Sequence, residues 1–226
     1  MAIFLLLDTS AEKTSVSLAL NEDKIFTLTE ELPNSHSKKI TLLIHQILTE
    51  NHIRLDQIEA IAITKGPGSY TGLRIGSSTA KGLCFALEIP LIGIDTLESM
   101  YYGIRKTNFF QLKVRQFCSV LDAKRMEVYL AIFDRNKNVL FSTRALILDE
   151  KFETQVLDNK TLFYGSGAKK IQALWGNHPN AYFVDDFYPS SGFLFEPTQT
   201  AFSIKKFENL IDFEPFYLKE FFSSNC

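Results

Sequence analysis

The sequence predicts an α/β protein of two lobes, in which one element order is used twice. Three observations carry that expectation. The opening AIFLLLD is a short continuous apolar run, and TSVSLAL and KIFTLTEEL follow it across the turn-like NEDK, with Val16, Leu18 and Leu20 on one face. This three-strand meander gives way to segments that alternate between helical and strand period. Past the polar RKTN, residues 105 to 108, the same order begins again.

PNSHSKKITLLIHQILTENH has helical period, with Ile40, Leu43 and Ile47 at i, i+3 and i+7 and Pro33, Asn34 and Ser35 as entry signals. IEAIAIT is a strand, the glycine-bearing stretch after it opens a helix, and PLIGI is a strand. DTLESMYYGI is a helix that starts with Asp95 and Glu98 at the spacing of a capping box. In the second half QFCSVLDA, RMEVYLAIFD and NVLFSTRALIL read as strands, followed by a helix over 149–157, strand TLFYG, helix GAKKIQALW, strand AYFV and helix TQTAFSIKKFENLI. Two successive βββαβα units of this kind are ribonuclease-H-like. Their duplication is the two-lobed actin-like (ASKHA) architecture of actin, sugar kinases and heat-shock ATPases. The expected lobes are 1–104 and 105–226.

The 226 residues, 46% of them hydrophobic, suffice for a packed core, and a formal net charge of −2 leaves no basic footprint for nucleic acid. A role on nucleic acid therefore runs through a partner. Cys84, Cys118 and Cys226 are odd in number and far apart, which supports neither a disulfide framework nor a zinc site and fits a reducing cytosol. The apolar opening has no positive n-region and reaches Asp8 after a run too short for a signal sequence or a membrane span.

Residues 65–95, KGPGSYTGLRIGSSTAKGLCFALEIPLIGID, hold five of the eleven glycines in their first eighteen positions. Gly66, Pro67 and Gly68 sit between strand and helix, where N–H groups could face an anion, yet neither the Walker A nor the dinucleotide spacing occurs. Inside the helix Gly72, Gly76 and Ala80 form one stripe of almost no bulk, where another helix can approach closely. A helix-interior glycine costs about 0.8–1 kcal/mol relative to alanine, so a packing reason is expected. The stripe either receives a partner, with helix 36–51 beside it completing a platform, or packs on the chain's own sheet. Arg74 points to the opposite side.

No catalytic constellation is legible. His45 and His52 lie about 10 Å apart along a helix, too far for a shared metal, and no H-E-x-x-H or G-x-S-x-G occurs. Ser69 and Thr71 suit helix capping better than attack. In an actin-like fold the phosphates of ATP sit between two strand-turns, one per lobe, which need an acid for the metal and glycines for backbone approach. The corresponding turns here are LDTSAEKTS, with Asp8, Thr9 and Ser10, and LDAKRMEV, with Asp122. Both lack glycine, which marks them as remnants. Gly165 and Gly167 in YGSGAKK make a better nucleotide loop. Ten phenylalanines between Phe183 and Phe222 are most simply the second lobe's core plus a returning tail.

LLLDTS, HSKKI, ITKGPGSYTGLRIGSSTAKGLCFALEIPLIGIDTLESM, LDAKRMEVY, GSGA and PFYLK occur in the order seen in the bacterial TsaB (YeaZ) family, which the chain resembles over nearly its whole length. The GPGSYTGLRIG segment is the most specific of these. The resemblance implies a non-catalytic paralogue of TsaD, the subunit that transfers a threonylcarbamoyl group to N6 of the adenosine at tRNA position 37 (t6A37). It also implies binding to TsaD through the two N-lobe helices, on positions matching His36, Ile40, Leu43, Ile47, Tyr70, Gly72, Leu73, Gly76 and Ala80. The ATPase TsaE joins the pair, tRNA is met only through the complex, and ATP or ADP with magnesium belongs to the assembly rather than to this chain. A homodimer through the same helices is left open for the free chain. The chain departs from the family's DAR-x-GEVY pattern at Lys124 and Met126, which weakens any nucleotide role of the second lobe.

The competing reading is a small actin-like ATPase or phosphotransferase acting alone, which the glycine-poor turns at Asp8 and Asp122 oppose. A peptidase is a third, and it has no ligand or nucleophile set to stand on.

Overall fold

A computed structural model describes residues 2–31 and 36–218. The helix-entry residues Pro33, Asn34 and Ser35, and Cys226, lie outside them.

Strands β1 (Phe4–Asp8), β2 (Lys13–Asn21) and β3 (Lys24–Glu31) form the expected meander, and helix α1 (His36–Glu50) leads into β4 (Ala60–Gly66). Helix α2 (Tyr70–Leu87), β5 (Leu91–Asp95) and α3 (Thr96–Arg105) complete the first unit. The second contains β6 (Gln116–Asp122), β7 (Glu127–Phe133), β8 (Val139–Ile147), α4 (Glu150–Val156), β9 (Thr161–Tyr164), α5 (Ala168–Trp175) and β10 (Ala181–Val184). Helix α6 (Phe195–Ser203) follows.

The two five-stranded sheets run β3-β2-β1-β4-β5 and β10-β9-β6-β7-β8. Read from the opposite edge, the second order is the first with β6 in the place of β1. In both, the first strand pairs antiparallel with the second and parallel with the fourth. The duplication legible in the sequence is thus a duplication of topology, and the fold is two-lobed and actin-like.

Strand β1 is buried along its whole length because helices cover both faces of its sheet. Leu5, Leu7, Val16, Leu18, Ile61 and Ile63 face Ile40, Leu43, Ile44, Ile47 and Leu48 of α1 and Ala80 and Cys84 of α2. On the other face Phe4, Leu6, Ala60, Ala62 and Ile92 meet Leu194, Phe195 and Ala201 from α6 and the turn before it.

Packing does not respect a division at 104/105. Leu97, Met100, Tyr101 and Ile104 of α3 belong to the core around Phe117, Phe133 and Tyr164 in the second sheet, while α6 covers the first. Each lobe therefore lends a helix to the other, and the chain from Ser191 to Phe216 returns onto the first lobe.

The expected helix over TQTAFSIKKFENLI is shifted and shortened. It starts at Phe195, with Pro197 in the first turn where a missing N–H is tolerated, and ends at Ser203. Lys205 then takes a left-handed φ of 54°, and Glu208 pairs with Leu91. Long-range pairing overrides the local helical period. Among the described residues no helix is long and apolar enough to cross a membrane.

Candidate functional site: an interlobe cleft and a two-helix face

The cleft between the lobes has a volume of about 1040 Å³ and is lined by both strand-turns expected to hold phosphate. In the first, Asp8 ends β1 with no solvent exposure. Its Oδ1 accepts from Ser10 N–H at 2.9 Å and from Ser10 Oγ at 2.8 Å, while Oδ2 has no hydrogen-bond donor among the described residues. Burial pushes the carboxyl up to about 6, against the lowering effect of those hydrogen bonds.

The start of α2 is pressed onto this turn. Ser69 N–H donates to Ser10 O at 2.7 Å, and Ser69 Oγ caps the helix by accepting from Gly72 N–H at 3.3 Å. A Cβ at Gly68 would collide with Ser10 O, and one at Gly72 with Thr9 O. The glycines thus admit the chain's own backbone to the start of α2.

In the second turn the carboxylate is exposed in the cleft but already paired. Asp122 Oδ1 accepts from Lys124 N–H at 2.6 Å and from Lys170 Nζ at 2.7 Å, and Lys170 also donates to Arg125 O at 2.6 Å. Gly165, at a φ of 110°, faces Val120 O, and a Cβ at Gly167 would meet Val120 and the backbone of Leu121. The YGSGAKK loop thus seats its glycines on β6 while Gly165 and Ser166 line the cleft. These residues do not fit a magnesium nucleotide: one carboxylate is sealed, and the other is neutralised by a lysine.

No group of three or more metal-ligating side chains occurs among the described residues. Burial pushes the Cys84 thiol up to about 12 and the Cys118 thiol up as well, so neither is a thiolate at neutral pH.

The expected partner-binding residues divide in two. Ile40, Leu43, Ile47, Leu73 and Ala80 are buried, as are Gly72 and Gly76. A Cβ at Gly76 would overlap the Thr9 hydroxyl and stand 2.9 Å from Ile63 Cδ1. As a correction, the small-residue stripe is filled by this lobe's own first turn and sheet. Tyr70 is half-buried at the rim of the cleft. The side chain of His36 lies outside the described residues.

Between the same helices a groove opens over the buried Ile44 and Leu48. Ile44, His45, Leu48 and Thr49 of α1 and Ser78, Thr79, Gly82 and Leu83 of α2 line a predominantly apolar groove of about 860 Å³. Nothing lies within 4 Å of where a Cβ of Gly82 would be. Leu42 is 66% and Phe85 80% exposed on the two helices. Sequence reasoning missed Gly82 and Phe85, although Ser78, Gly82 and Phe85 share helical spacing on the side of α2 away from Gly76.

A family model described as "TsaD: tRNA N6-adenosine threonylcarbamoyltransferase" matches residues 29–223. A relative from Buchnera aphidicola subsp. Schizaphis graminum, named tRNA threonylcarbamoyladenosine biosynthesis protein TsaB, is 32% identical over 75% of this chain and 81% of its own. The chain belongs to the TsaB (YeaZ) family. A Haemophilus influenzae protein with the same TsaB name is 28% identical over 95% of this chain and 92% of its own. YeaZ from Pseudomonas aeruginosa shares the fold at a TM-score of 0.77 and 23% identity, with 96% of this chain and all of that one covered. The GPGSYTGLRIG segment of this TsaB-family chain is the stretch that joins α2 to the Asp8 turn.

Proposed function

We propose that this chain is a non-catalytic subunit of tRNA N6-threonylcarbamoyladenosine synthesis, which docks the transferase TsaD on the outer faces of α1 and α2. Family membership supports the pathway, since its relatives carry the name of that biosynthesis. The observation that carries the docking surface is the groove at Gly82, open and apolar on helices whose opposite sides are fully engaged with the sheet. Closure of both phosphate turns by backbone and by Lys170 supports the absence of chemistry in this chain. TsaE joins the pair, ATP with magnesium enters with the assembly, and tRNA is met through it. The setting is cytosolic.

The test is light scattering after size-exclusion chromatography of this chain with TsaD from the same organism, using wild type and Gly82→Trp. Wild type forms a heterodimer and a folded Gly82→Trp does not. A complex indifferent to Gly82→Trp rejects this surface, and no complex even with TsaE, ATP and magnesium rejects the reading. ATP turnover by the isolated chain returns the phosphotransferase. The chain run alone reports whether it pairs with itself through the same groove.

A further inference from the structure

Arg74, on the outward side of α2, is held in place before anything binds it. Its guanidinium carbon lies 4.1 Å from the centroid of the Tyr70 ring and 5.8 Å from that of Tyr217, and the two rings are 5.0 Å apart. Its Nε–H donates to the Tyr217 hydroxyl at 3.1 Å. The terminal nitrogens have no partner among the described residues, and Glu214 acts on the group only at longer range. A stacked guanidinium with its fork free has already lost the rotamer freedom that an arginine ordinarily gives up on binding.

Tyr217 reaches Arg74 because the tail is strapped to the first lobe. Glu208 pairs with Lys65 at 3.1 Å, Phe213 is buried in the core, and Phe216 N–H donates to Lys65 O at 2.6 Å. Lys81, farther along the same helix, is committed to the carbonyls of Ile211 at 3.2 Å and Phe213 at 3.0 Å. Of the two cations on α2, Arg74 thus keeps its terminal nitrogens free, at the cleft end of a face that Ser78, Gly82 and Phe85 continue towards the apolar groove.

We propose that Arg74 anchors the docking face by taking a carboxylate side chain of the partner transferase in a bidentate pair, with Tyr217 positioning it. This rests on the docking reading above. One planar fork satisfies one carboxylate, whereas a nucleic-acid backbone is held by several cations, and Lys81, the other cation of α2, is already committed to the carbonyls of the tail.

The test is the affinity of the full-length chain for TsaD at low and at high salt, for wild type, Arg74→Gln, Arg74→Lys and Tyr217→Phe, each checked for unchanged thermal unfolding. Arg74→Gln weakens binding by about tenfold or more at low salt and removes part of the salt dependence. Arg74→Lys restores only part of the loss, because the charge returns without the fork. Tyr217→Phe keeps the charge and shows a smaller loss with the salt dependence retained. An affinity for Arg74→Gln within twofold of wild type at both salts overturns the proposal. So does a loss confined to tRNA binding. Absence of any wild-type complex overturns the docking reading itself, and this inference with it.

Discussion

Gly76 faces Thr9 so closely that a Cβ on the glycine would overlap the threonine hydroxyl. The contact ties α2 to the turn after β1, and Gly72 and Gly68 repeat it against the carbonyls of Thr9 and Ser10. In the second lobe Gly165 and Gly167 stand in the same relation to Val120 and Leu121. In both lobes helix and turn are thus in backbone contact.

Replacing the glycines of α2 therefore separates inner from outer positions. Gly76→Ala and more strongly Gly76→Leu lower stability, the latter by about 1–3 kcal/mol or more, because the added carbons enter a filled core. Gly82→Ala raises stability by about 0.4–1 kcal/mol, because open space receives the methyl and the unfolded chain loses freedom. Urea denaturation of the three variants reads both signs. Equal destabilisation at Gly76 and Gly82 would contradict the assignment of faces.

Asp8 makes stability depend on pH. Its carboxyl moves from 3.8 to about 6 on folding, so the folded state holds the proton more tightly. The contribution is fully present below pH 3.8 and is lost as pH rises through 6, about 3 kcal/mol in all. Asp8→Asn removes this titration while its side-chain oxygen still accepts from Ser10. The variant's stability relative to wild type should rise between pH 4 and 6.5, and a constant difference across that range would refute the buried carboxylate.

Lys170 holds the second turn by its bonds to Asp122 and to the carbonyls of Arg125 and Glu127. Lys170→Met leaves those acceptors without their donor and should cost about 1–2 kcal/mol, read by thermal unfolding. Magnesium ATP should protect neither form. Nucleotide-dependent protection of wild type alone would reopen the second turn as a phosphate site.

Phe213 fastens the tail to the first lobe. Phe213→Ala should cost about 3–5 kcal/mol for loss of a buried ring, and should release the strap that carries Tyr217. Chemical denaturation measures the first effect, and faster proteolysis after Phe213→Ala measures the second.

Most of the elements were legible in the sequence because strand alternation and helical period are local signals. LLLD after a short apolar start, the Asp95 cap and the recurrence after residue 105 are each readable within a few residues. Asp95 accepts from Leu97 N–H at 2.8 Å and Glu98 N–H at 3.0 Å, whereas Glu98 turns away to Lys137 at 3.1 Å and leaves the expected box half made. The end of α6 was not legible, because a partner strand more than a hundred residues earlier outcompetes the local period there.

What the sequence by itself determined was the duplicated fold, the family to which GPGSYTGLRIG points, and a bare stripe on α2 that required some close neighbour. Which neighbour it was, only the tertiary structure decided. A helix of small residues is equally suited to a partner and to its own sheet, and Thr9 becomes that neighbour only when β1 and α2 are brought together. The same assembly turns Gly82 and Arg74 outward, and the return of the tail supplies Tyr217 from 143 residues away. Contacts of that separation leave no periodicity to read.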